Sequence, residues 1–137
     1  MKNFKLTLEY DGTNYFGFQR QKNQPTIQSE LESAVRKLFQ KKVRVVGAGR
    51  TDSGVHAQGQ VAHIRVRSKL ALRKIQSGLN HYLPLDISIL LIERMPASFH
   101  AQFSARRKVY EYRVLNSQVR SPLRRLRSFQ VWDQLNL

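Results

Sequence analysis

The apolar residues of this chain change their period in a fixed order, and that order restricts the fold more than any other feature. Phe4, Leu6, Leu8 and Tyr10 alternate with polar residues, the mark of a half-buried strand. After Pro25 and Thr26, which suit a helix start, Ile27, Leu31, Ala34, Val35, Leu38 and Phe39 recur at helical spacing. Lys41 and Lys42 near the end of that helix suit its dipole. Val43 to Val46 is a short β-rich run, and Val61 to Val66 reads as another strand with Ala62, Ile64 and Val66 on one face. Ser68 is placed to cap a second helix with a buried stripe of Leu72, Ile75 and Leu79, which Pro84 stops. Ile87 to Ile92 is a fully apolar run of strand length. The series is β-α-β-β-α-β, which predicts a ferredoxin-like α+β domain closing near Glu93.

This order divides the chain into a ferredoxin-like half over residues 1–94, a linker over 95–107 and the start of a second domain over 108–137. Val109 to Leu115 alternates as a strand does, and Phe129 to Trp132 suits one more. Arg120 to Arg127 between them is a basic loop. No helix follows to cover these strands, and an uncovered apolar strand face is unstable. The expectation is therefore the opening strands of an incomplete second half, in a chain that reads as truncated or as completed by another chain.

At 137 residues the chain has room for one domain with a core, or for one domain and part of another. It carries 24 basic and 9 acidic residues, a net charge of +15. Folding does not require such an excess, because like charges repel in the compact state. A polyanion is the simplest partner, and nucleic acid is the usual one. No stretch has the length of a membrane span, and no basic amphipathic helix with an apolar face suits a membrane surface. The first residues lack the apolar core of a signal peptide. There is no cysteine, which excludes disulfides, thiolate metal sites and cysteine nucleophiles and fits a cytoplasmic protein.

The run from Gly47 to Ile64, GAGRTDSGVHAQGQVAHI, is the candidate site. The loop between the second and third strands, residues 47–60, is much longer than a hairpin needs, and surplus length points to function. Asp52 within it has two readings: a carboxylate acting as general base or nucleophile, with Arg50 and His56 nearby, or a turn aspartate bonded to its own loop. Arg50 suits phosphate contact or insertion among stacked bases, or else a salt bridge to Asp52. His56 suits a hydrogen bond within the loop, and His63 a packed position on a strand. The spacing of Asp52, His56 and His63 fits no compact metal site, so no metal is expected. Tyr110 and Tyr112 share one face of a strand, where rings stack bases or pack a core. Phe99, His100 and Phe103, close to Arg106, Arg107 and Lys108, suit single-stranded RNA. No phosphate-binding glycine loop, dinucleotide fingerprint or RNP aromatic motif is present.

Three segments carry a specific resemblance. GRTDSGVHA, Gly49 to Ala57, resembles the active-site motif of the TruA family of tRNA pseudouridine synthases. YDGTNYFGFQRQ, Tyr10 to Gln21, is similar to that family's first-strand signature, with Phe18 where a tryptophan is common. FHAQFSARRKVYEYRVLN, Phe99 to Asn116, is similar to its linker and next strand. The resemblance implies that Asp52 is the catalytic aspartate and attacks the target uridine at C6 or C1′. It implies that Arg50 fills the space left by a flipped nucleotide and that Tyr110 stacks on the target base and joins a later proton transfer. Phe99, His100, Ala101, Gln102 and Phe103 would touch the tRNA. The implied substrate is uridine in the anticodon stem-loop, tRNA positions 38–40, and the implied assembly of the full-length family is a homodimer. No cofactor is implied. A different class, a basic RNA-binding module without catalysis, shares the same ligand, and a ribosome-associated structural protein is a third reading. Pseudouridine formation by this chain separates the enzyme from both.

Overall fold

The computed structural model describes residues 1–135, and these fall into two compact units that divide after Ala105. In the first, Met1–Ala105, the alternating apolar residues make strands and the helically spaced ones make two helices. Strand β1, Lys2–Tyr10, is central. It is followed by helix α1, Ile27–Phe39, strands β2, Val46–Gly47, and β3, Ala57–Val66, helix α2, Leu72–Tyr82, and strand β4, Ile87–Met95. The sheet order is β2-β3-β1-β4 and every pairing is antiparallel. This is the ferredoxin-like arrangement that the order of periods predicts.

One face of the sheet buries Phe4, Leu6, Leu8 and Tyr10 with Ala62, Ile64, Val66, Ile87, Ile89 and Ile92. Leu31 and Val35 of α1 and Ile75 and Leu79 of α2 close over them. Thr26 caps α1 in a capping box: its hydroxyl accepts Ser29 N–H, and Ser29 Oγ accepts Thr26 N–H. Gln40 ends that helix in the left-handed conformation, so Lys41 and Lys42 lie beyond it, and Arg36 and Lys37 occupy its last turn. Ser68 does not cap α2. Its hydroxyl accepts Leu70 N–H in a local turn, Ala71 holds the cap position without a side-chain bond, and Leu72 is exposed.

Strand β2 starts later than the β-rich run 43–46 suggests. The backbone of Val45 is served by side chains of α1: Glu32 Oε2 accepts its N–H at 3.0 Å and Gln28 Nε2 donates to its carbonyl at 2.8 Å. Regular pairing then begins at Val46. Strand β3 starts earlier than expected, because Ala57 and Gln60 pair with Tyr10 and Leu8 of β1. The glycine loop is thereby reduced to residues 48–56. The stretch after β4 is not extended where a linker was expected. Asn3 Nδ2 donates to the carbonyls of Pro96 and Phe99, and the N–H of Ala101 donates to His63 Nδ1 at 2.9 Å. These bonds fold residues 96–104 back on the sheet and bury Ala101.

The second unit, from Arg106 on, is small. Strand β5, Val114–Asn116, pairs in parallel with β6, Phe129–Val131. Residues 109–113 are not strand, contrary to their alternation, and Val109, Tyr110 and Tyr112 are exposed. Alternation makes a strand only where a partner supplies its ladder. Among the described residues only 114–116 finds one. Asn136 and Leu137 lie outside the described residues.

Candidate active site

The site is a loop held open by a second loop. Residues 48–56 follow β2, and residues 11–26 connect β1 to α1. At the base, Gln60 Nε2 donates to Gly49 O at 3.0 Å, and the hydroxyls of Tyr10 and Thr51 are hydrogen-bonded at 2.9 Å. In the middle, Phe18 N–H donates to Thr51 O at 3.1 Å. Gly17 makes this approach possible. Its φ is +81°, and a Cβ there would lie 2.6 Å from Thr51 O. At the tip, Val55 N–H closes a turn on Asp52 O, with Gly54 at φ +80° in the third position, the setting a type II turn reserves for glycine. Tyr15 O accepts Gly54 N–H at 3.2 Å and Ser53 Oγ at 3.3 Å.

Tyr15 is itself anchored from the turn that leads into β4. Its hydroxyl donates to Asp86 Oδ1, and Asp86 O accepts Asp11 N–H at 2.9 Å. Burial, and then the Asp86 carboxylate, raise the Tyr15 phenol above its ordinary range, so it remains a donor. His56 Nδ1 accepts Gly12 N–H at 2.9 Å and lies 3.2 Å from Asp11 Oδ1. His56 thereby ties its loop to the neighbouring one.

Every bond that fixes Asp52 involves backbone or a neighbouring side chain. The Asp52 side chain is exposed at the tip, and its carboxylate has no hydrogen-bond or ion-pair partner among the described residues. Arg50 is also exposed and forms no salt bridge with Asp52. A rigid loop thus presents a carboxylate and a guanidinium two residues apart, both open to a ligand. That pairing suits covalent or base chemistry on a polyanionic substrate.

The other candidates lie elsewhere. Phe99 to Phe103 wrap over His63 of β3: the His63 ring meets His100 edge-on at 4.8 Å, and His100 stacks on Phe103 at 4.2 Å. Phe103 is 79% exposed and presents a free ring face. Burial first, then His100 and Arg65, lower His63 to about 4, which leaves Nδ1 free to accept Ala101 N–H. Tyr110 belongs to the second unit and is 62% exposed. No cluster of ligating residues suited to a metal occurs among the described residues, and no helix there is long and apolar enough to cross a membrane. Sequence reasoning missed the supporting residues Tyr10, Thr51, Gln60, Tyr15 and Asp86. The one available signal was Tyr15, Phe16 and Phe18 inside an otherwise polar loop.

Comparison with known proteins bears on the same residues. The family described as tRNA pseudouridine synthase matches residues 7–104. A tRNA pseudouridine synthase A from Thermodesulfovibrio yellowstonii is 50% identical over 112 residues, covering 82% of this chain and 44% of that protein. Proteins of the same name from Ruminiclostridium cellulolyticum and Caldicellulosiruptor bescii are 46% and 44% identical over the whole of this chain and 56% of their own length. The chain spans about half the length of these curated relatives.

Proposed function

This chain belongs to the tRNA pseudouridine synthase family, and on that premise we propose that it isomerises uridine to pseudouridine in the anticodon stem-loop of tRNA, with Asp52 as nucleophile. One observation carries the reading: the Asp52 carboxylate stands unpartnered at the tip of a loop whose backbone is pinned from both sides. A nucleophile held this way meets its substrate without reorganising. In the reaction, Asp52 attacks C1′ and displaces the base at N1, or adds to C6, after which the N1–C1′ bond breaks. The freed base turns, C5 bonds to C1′, C5 loses its proton, N1 gains one, and the carboxylate is regenerated. The target nucleotide must leave its stack, at a cost of a few kcal/mol, order of magnitude. Arg50 offsets that cost by occupying the gap, Tyr110 stacks on the base and takes part in the proton transfer, and Phe99 to Phe103 contact the RNA. A homodimer and a cytoplasmic location belong to the same reading.

The test is incubation of this 137-residue chain with unmodified tRNA, followed by pseudouridine mapping. Product at anticodon-stem uridines is expected. Asp52→Asn should abolish it while tRNA still binds. Turnover by that variant at the parent rate refutes Asp52 as nucleophile, and binding without product by the parent chain favours an RNA-binding module.

A further inference from the structure

A second concave surface lies away from the Asp52 loop. A groove of about 600 Å³ runs between α1 and the segment that leads into β2. Arg20, Arg36, Lys42 and Arg44 line it, all exposed. Its one acid, Glu32, is already engaged: Oε2 accepts Val45 N–H and Oε1 faces Arg20 at 3.4 Å. Arg36, Lys42 and Arg44 form no ion pair among the described residues. Three uncompensated cations converging on a concavity repel one another, and a concave wall concentrates their field. The α1 dipole favours a cation at Arg36 in its last turn, but no acid in the groove is free to offset the three charges together. A ligand with closely spaced negative charges relieves their repulsion.

We propose that this groove is a second RNA site, which grips the sugar-phosphate backbone of the tRNA while the Asp52 loop engages the target nucleotide. The assignment rests on the tRNA substrate proposed above. Gln19 and Ser33 in the lining offer neutral polar groups to phosphate or ribose. No aromatic ring lines the groove, so it holds the backbone without reading bases. Arg20 in its lining lies two residues along the chain from Phe18, whose N–H holds Thr51 of the catalytic loop.

The test compares two triple variants of the full chain for binding to unmodified tRNA over a range of salt. Arg36→Gln/Lys42→Gln/Arg44→Gln empties the groove of its unpaired charge. Lys69→Gln/Arg73→Gln/Lys74→Gln removes equal charge from exposed positions elsewhere. The groove triple is expected to weaken binding by about tenfold or more and to flatten the slope of log affinity against log salt by about two units. The control triple should lose much less of both. Equal losses in the two variants overturn the proposal, since the effect is then that of net charge alone. Unchanged tRNA affinity in the groove triple also overturns it, and is the result expected of a groove built for an acidic protein segment. If the parent chain binds no tRNA, this proposal and the substrate reading fall together. If the parent chain binds without forming pseudouridine and the groove triple still loses affinity, only the catalytic reading falls.

Discussion

At the scale of single residues, the site depends on backbone settings that only certain side chains permit. Gly17 and Gly54 have nearly the same φ but different surroundings. Alanine at Gly54 meets no atom within 4 Å and carries only the left-handed penalty, about 1–2 kcal/mol. Alanine at Gly17 carries the same penalty and also strikes Thr51 O, for about 1–3 kcal/mol more. Urea denaturation should therefore rank Gly17→Ala well below Gly54→Ala in stability, and pseudouridine formation should fall further in Gly17→Ala. Equal midpoints would disprove the docking of the two loops. His63 makes a second residue-scale prediction. Its folded value of about 4 lies below the ordinary value of 6.5, so its contribution is complete above 6.5 and lost as pH falls toward 4. Over that window stability should drop by about 1.4 kcal/mol per pH unit from this group. His100 and Arg65 face the ring and add to the cost of charging it. His63→Gln should flatten this part of the stability profile, measured by denaturant midpoints between pH 7 and 5.

Elements are held here by side chains that replace missing backbone partners. Strand β2 has only two paired residues, and the chain leading to it is fixed by α1. Glu32 supplies the acceptor for Val45 N–H, and Val45 is fully buried. Glu32→Ala orphans that donor at a cost of about 1–3 kcal/mol. Glu32→Gln keeps an acceptor and should cost less than half as much. Thermal or urea unfolding of the two variants checks this, and equal losses would show that Val45 does not depend on the side chain. The same logic explains why the strand pattern of the sequence misjudged β2. Val43 to Val46 has the residue types of a strand, yet helix side chains occupy the hydrogen bonds that a ladder would use. Residues 109–112 have the alternation but no ladder among the described residues, and Arg113 gives only its carbonyl, to Phe129 N–H.

For the whole molecule, charge and exposed apolar surface decide behaviour. The net charge of +15 keeps chains apart at low salt and favours a polyanionic partner. The second unit exposes Leu123, Phe129 and the chain's single tryptophan, Trp132, around a two-stranded sheet. Two strands with open edges are marginally stable and invite further pairing. Self-association should therefore appear as salt screens the charge. Sedimentation velocity at rising protein and salt concentration should show it, with a shift in Trp132 fluorescence. A monomer at high concentration in high salt would rule out these edges as sticky surfaces.

The periods of the apolar residues determined the ferredoxin-like order of the first unit, because period 2 and period 3.6 bury their faces in only one kind of element each. The composition pointed to a polyanionic partner, because so large an excess of one charge repels itself in a compact fold. The glycine loop with Arg50 and Asp52 stood out for the same local reason: its residue types fit neither a strand nor a helix. Tertiary structure alone decided that Tyr15, anchored by Asp86, would hold the loop tip, that His56 would bond to Gly12, and that α1 would complete the edge before β2. Those contacts join residues distant in the chain. Local preference carries no record of which distant donor will meet which acceptor; packing of the helices on the sheet sets that.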